Sequence, residues 1–128
     1  MIALFGASAV ALGALGAHAL KNKLSTGLIT EEQLNGFDTG VKYQMYHTLA
    51  MLMILIINKN NEQKWLTYAY RFFLAGILLF SGSLYFLTTR NLWGAEWLKI
   101  LGPVTPIGGL LFMAGWLMLI PAALNSKK

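Results

Sequence analysis

The residues best placed to do chemistry are two histidines with a set of hydroxyl, phenol and amide side chains: His18, Tyr43, Gln44, Tyr46, His47, Ser81, Ser83, Tyr85 and Thr105. Each lies within or at the edge of a long apolar run. A histidine can act as base, proton carrier or metal ligand. His18 and His47 would together give a haem or copper pair of the kind built between facing helices, with Met45 a soft donor nearby. Two ligands are too few for a closed zinc site. Ser81 or Ser83 beside His47 could pair a nucleophile with a base, but no carboxylate lies within an apolar run to orient the ring. The same lack removes paired carboxylates for acid–base catalysis and the buried acids on which proton-coupled carriers rely. Cysteine is absent, which excludes disulfides, iron–sulfur clusters and thiol nucleophiles. No glycine-rich loop cradles a phosphate. The residues therefore assign no catalytic group and no cofactor, and the expectation is a protein that is not an enzyme.

The elements that hold these groups are membrane spans. Of the 128 residues, 56% are hydrophobic and only 12% charged, about half the charged share of a soluble domain. The apolar residues come in runs long enough to cross a bilayer. The pattern predicts an all-α integral membrane protein, one domain over residues 1–128, with four transmembrane helices at about 1–20, 41–57, 65–87 and 105–124. Ala17-His18-Ala19 resembles a signal-peptidase site, but the opening Met-Ile-Ala-Leu-Phe lacks the usual basic start, so the first run reads as a retained span. Thr30-Glu31-Glu32-Gln33 fits a capping box. Leu34, Phe37 and Val41 then recur at helical spacing, predicting an amphipathic interfacial helix between spans one and two, bent or continuous into the second. Gly36 and Gly40 weaken it. Residues 58–64 read as a tight loop, 88–99 as a connection, and 125–128 as a polar tail. Trp65, Tyr68 and Tyr70 form an aromatic belt, with Arg71 free to snorkel. Thr105 is placed as the N-cap of span four, with Pro106 at its first position.

Four spans connected in series bring the end of span one, the start of two, the end of three and the start of four to one side. At 1.5 Å per residue the nine polar residues then fall within roughly 10 Å of that interface. Polar groups at such depth face the bundle interior, a wet pocket or each other. They either hold the helices together by hydrogen bonds or line a pocket for a small ligand, lipid headgroup or ion. Small residues repeat at four-residue spacing in span one. Ala9, Gly13 and Ala17 make one face and Ala3, Ala7 and Ala11 another, so span one could pack in the bundle and against another subunit as a homo-oligomer. The net charge of +5 is scattered and lacks the clustered basic face of a nucleic-acid binder, so the expected partner is the lipid bilayer. Lys21, Lys23, Lys42, Arg90 and Lys99 fall on one side. Lys59, Lys64, Arg71, Lys127 and Lys128 fall on the other, with both termini. The balance leans to cytoplasmic termini.

Gly16-Ala17-His18-Ala19-Leu20, Tyr43-Gln44-Met45-Tyr46-His47, Phe80-Ser81-Gly82-Ser83-Leu84-Tyr85, Thr105-Pro106-Ile107-Gly108-Gly109 and Gly115-Trp116 occur in order. Together they resemble the domain-of-unknown-function 423 family of bacterial YgdD/YwdK-like inner-membrane proteins, which is similar to the eukaryotic transmembrane protein 256. The resemblance covers essentially the whole chain. It implies a small multi-pass protein of the bacterial inner membrane and supplies no reaction. The resulting expectation is a non-enzymatic protein that supports membrane or envelope homeostasis by holding a lipid or partner. The alternatives are small-ligand or ion passage through the polar leaflet, and haem or copper binding by His18 and His47.

Overall fold

A computed structural model describes residues 1–59 and 63–125. The described residues form four long helices: α1 (Ile2–Leu24), α2 (Glu31–Asn58), α3 (Lys64–Trp93) and α4 (Val104–Asn125), with no strand among them. Each is long and apolar enough to cross a membrane, and the protein is an all-α integral membrane protein. The middle of the 58–64 loop, the end of the polar tail, and the charges expected at Lys127 and Lys128 lie outside the described residues.

Helix α2 begins where the capping box requires. Gln33 N donates to Thr30 Oγ1 at 3.1 Å, and Thr30 N donates to Gln33 Oε1 at 3.0 Å. Ile29, just before the cap, is buried in the cluster against which Leu34 packs, the pairing of a hydrophobic staple. The amphipathic segment and span two are one helix of 28 residues, about 42 Å long against roughly 30 Å of hydrocarbon. Its first turns therefore extend beyond the apolar layer. Gly36 and Gly40 do not weaken it, because they are contact points. A methyl at Gly36 would sit 2.8 Å from Thr88, and one at Gly40 3.0 Å from Tyr85.

Span four starts one residue earlier than expected, at Val104. Thr105 is thus inside the first turn and is not the cap; its hydroxyl is engaged with Ser83 on α3. The 88–99 connection is also more ordered than its composition predicts. It carries α3 into a 3₁₀ turn at Arg90–Trp93, reverses at Gly94 with φ 61°, and forms a second 3₁₀ turn over Glu96–Leu101.

Consecutive helices pack against each other in antiparallel fashion, and glycine sets each register. Along α1, Gly6 lies beside Thr48, Gly13 beside Val41 and Gly16 beside Phe37. Between α3 and α4 the meshing is tighter. Gly76 receives the ring of Phe112, Gly115 receives the ring of Phe73, and Gly108 rests on the backbone of Phe80. Such close approach is how helices gain packing energy where lipid offers no hydrophobic drive. Helices α2 and α4 meet through large side chains, His47 against Phe112 and Trp116.

A methyl at position 108 would collide with the Phe80 nitrogen and Cα, whereas one at Gly82 meets nothing within 4 Å. Gly108→Ala is expected to cost about 1–3 kcal/mol or more as overpacking against backbone. Gly82→Ala should be neutral or stabilising by up to about 1 kcal/mol. Paired thermal melts in detergent check both, and equal Tm values for the two variants would contradict the meshed interface.

Candidate functional site

Antiparallel register settles which of the candidate residues share a depth. His18, in a π turn at Gly16–Leu20, lies level with residue 35 or 36 of α2. That is eleven or twelve positions from His47, or about 17 Å along the bundle. It is also exposed, while His47 is 4% exposed. The expected His18–His47 pairing as haem or copper ligands is therefore not formed. Among the described residues no three His, Asp or Glu side chains gather as a metal site. The eight other candidates do lie in one slab, but seven of them divide into three groups and Ser81 stands alone.

The first group is centred on Gln44, 4% exposed. Its Nε2 donates to the Phe5 carbonyl and to Ser8 Oγ, both at 2.8 Å, and its Oε1 accepts from the Tyr85 hydroxyl at 2.8 Å. One amide thus links α1, α2 and α3. The Tyr85 ring packs on Phe37 with centroids 5.1 Å apart. Ser8 drew no attention in the sequence, because an isolated serine in an apolar run carries no signal until its partner is known, and Phe37 was read only as part of an amphipathic pattern.

The second group surrounds His47. Its Nδ1 lies 2.8 Å from the Tyr43 carbonyl and its Nε2 3.2 Å from Trp116 Nε1. A carbonyl can only accept and an indole N–H can only donate. Nδ1 therefore carries the proton and Nε2 accepts, so the ring is the neutral Nδ1–H tautomer with both nitrogens in use. The imidazole stacks on Phe112, with centroids 3.5 Å apart and planes 9° apart, and Tyr43, Phe73 and Trp116 complete its surround. On the outer side of this cluster a groove of about 680 Å³ runs between α2 and α4. His47, Phe80 and Phe112 line it with Tyr43, Tyr46, Gly109, Met113 and Trp116. Tyr43 and Tyr46 are 41% and 56% exposed.

The third group joins α3 to α4. Ser83 Oγ lies 3.0 Å from the Phe80 carbonyl and 2.6 Å from Thr105 Oγ1. Since Ser83 has one proton and the carbonyl must receive it, Thr105 donates to Ser83. Ser81 stands apart from all three groups. It closes a π turn at Ile77–Ser81, is fully buried, and its hydroxyl has no partner among the described residues. Neither Ser81 nor Ser83 hydrogen-bonds to His47, so the nucleophile–base pairing is not assembled. On α1, Ala9 is buried and Gly13 faces Val41 of the same chain, while Ala17 is exposed. The Ala9–Gly13 face thus serves the protein's own bundle.

A family model described as a protein of unknown function, DUF423, matches residues 12–109. A UPF0382 membrane protein of Staphylococcus aureus is 42% identical over 119 residues, covering 89% of this chain and 84% of its own. The UPF0382 membrane protein YwdK of Bacillus subtilis is 39% identical, covering 91% and 87%. The UPF0382 inner membrane protein YgdD of Escherichia coli is 34% identical, covering 93% and 82%. No solved structure matches.

Gln44, Ser83 and Ser81 should respond differently to alanine. Gln44→Ala strands a phenol and unties α1, with an expected cost of about 1–3 kcal/mol. Ser83→Ala removes one interhelical bond, about 0.6 kcal/mol in a membrane bundle. Ser81→Ala deletes an orphan hydroxyl and should leave stability unchanged or raised. Detergent unfolding of the three variants tests this ranking, and a Ser81→Ala loss as large as that of Gln44→Ala would refute it.

Proposed function

The chain belongs to the DUF423 family of membrane proteins, and from that premise we propose that it is a non-enzymatic lipid-holding protein that supports membrane homeostasis. The observation that carries this reading is the groove between α2 and α4. Its floor is aromatic and rigid, because His47 is locked by two hydrogen bonds and a stacked ring. Its outer edge is apolar, with Leu110 and Met113 more than 60% exposed. In a bilayer the molecule at hand to fill such a surface is a lipid chain, since lipid tails are the solvent for these helices. Tyr43 and Tyr46 set phenols beside the groove, and amphipathic rings of this kind suit the zone where chain meets headgroup.

Passage of an ion or small polar solute finds less support. Gln44, His47, Ser83, Tyr85 and Thr105, expected to line such a path, all direct their polar atoms to other groups of the protein. Helix-to-helix bonding is their evident work. Both ring nitrogens of His47 are taken up by the Tyr43 carbonyl and the Trp116 indole.

Gly109→Leu tests the groove. A Cβ at this position meets only ordinary contact, 3.8 Å from the Phe80 ring, so a leucine can fill the groove without breaking the α3–α4 mesh. Native mass spectrometry of protein released from mixed-lipid nanodiscs should show about tenfold less retained lipid for the variant at equal Tm. Undiminished retention, or turnover of a lipid or peptide by the purified wild type, would overturn the reading.

A further inference from the structure

A second pocket, separate from the groove, opens where the first turns of α2 meet the end of α3. It encloses about 440 Å³ and is lined by Glu32, Gln33, Leu84, Leu87, Arg90 and Asn91, among others. We propose that this pocket binds a zwitterionic phosphoethanolamine headgroup, with the phosphate on Gln33 and Arg90 and the ammonium on Glu32.

Two buried donors carry the first half of the argument. Gln33 is 7% exposed. Its Oε1 is occupied by Thr30 N at 3.0 Å and Asn91 Nδ2 at 3.5 Å, but its Nε2 has no partner among the described residues. On the facing helix Arg90 donates through Nη1 to the Leu87 carbonyl at 2.6 Å, and its Nε also has no hydrogen-bond partner. The nearest carboxylate oxygen, on Glu96, is 3.9 Å from that Nε and is held at 2.6 Å by Lys99. This exceeds hydrogen-bond range. A buried donor without an acceptor costs about 1–3 kcal/mol, more when charged. Two such donors from different helices at one pocket call for a ligand rich in acceptor oxygens. A phosphate is such a group, and arginine suits it.

Charge decides between an anion and a zwitterion. Glu32 lines the same pocket, is exposed, and forms no ion pair among the described residues. It would repel a net anion and attract an ammonium. A primary ammonium can also donate hydrogen bonds to the carboxylate, which a choline cannot. Depth agrees. The first turns of α2 extend past the hydrocarbon, where headgroups lie, and Leu84 and Leu87 continue the lining with apolar surface for the start of a chain.

The test uses the full chain in nanodiscs of phosphatidylethanolamine, phosphatidylcholine or phosphatidylglycerol, with native mass spectrometry and Tm as readouts. Phosphatidylethanolamine should be retained about tenfold over the other two. Arg90→Gln should abolish most of that retention, and Glu32→Gln should erase the preference over phosphatidylcholine, with helix content unchanged in both. Gly109→Leu, which blocks only the groove, should leave the preference intact, so failure at one site is distinguishable from failure at the other. Soluble phosphoethanolamine that raises Tm where the lipid is not selected would support the same chemistry with a free ester as its source. Equal retention of the three lipids with no effect of phosphoethanolamine, stabilisation by inorganic phosphate alone, or retention unmoved by both pocket variants would overturn the proposal.

Discussion

The bundle depends on how closely α3 and α4 approach. Three glycines, Gly76, Gly108 and Gly115, each accommodate part of a phenylalanine from the opposite helix, and a methyl at any of them would force that neighbour to move. Lipid competes with protein for apolar contacts on equal terms, so only contacts this close favour helix pairing over solvation by lipid. The meshing also fixes the positions of Phe73 and Phe112, and those two rings hold His47. The groove follows directly. Helix α4 is drawn to α3, leaving α2 to reach it through rings, and the space outside those rings is not filled by the chain.

Helix α2 organises the rest. Gln44 ties it to α1 and α3, His47 ties it to α4, and Gly36 and Gly40 let α3 press against it. The polar residues at membrane depth are thus mostly structural ligands for one another. The exceptions are informative. Tyr43 and Tyr46 are partly exposed, and among the described residues Ser81 and the Gln33 and Arg90 donors have no hydrogen-bond partner. Tyr43 and Tyr46 border the groove, Gln33 and Arg90 border the headgroup pocket, and Ser81 borders neither.

The four helices were legible in the sequence because runs of apolar residues of bilayer length have few other uses. The capping box at Thr30 was equally plain, since its residues act locally. What was hidden depended on rotation and register. His18 and His47 looked equivalent by topology alone, but a span's end is known only to a few residues, and here the difference amounts to about 17 Å. Gly36 and Gly40 read as weak points because propensity measures an isolated helix, while in the bundle they are where α3 touches. Thr105 fits the chemistry of a cap, yet its hydroxyl finds Ser83 across the interface instead. Trp116 entered the sequence reading only as part of a family motif, and its role in fixing the tautomer of His47 shows only in the structure.

The constant register between α3 and α4 also limits how such a chain can change length. One inserted residue within either helix turns everything beyond it by about 100° and advances it by 1.5 Å. Each ring would then face a side chain where it now faces a glycine. Substitution along the two helices alters one contact at a time, whereas insertion misaligns all those that follow. Insertions and deletions are therefore tolerated in the turns, whereas the spacings Phe73 to Phe80 within α3 and Gly108 to Gly115 within α4 must stay fixed together.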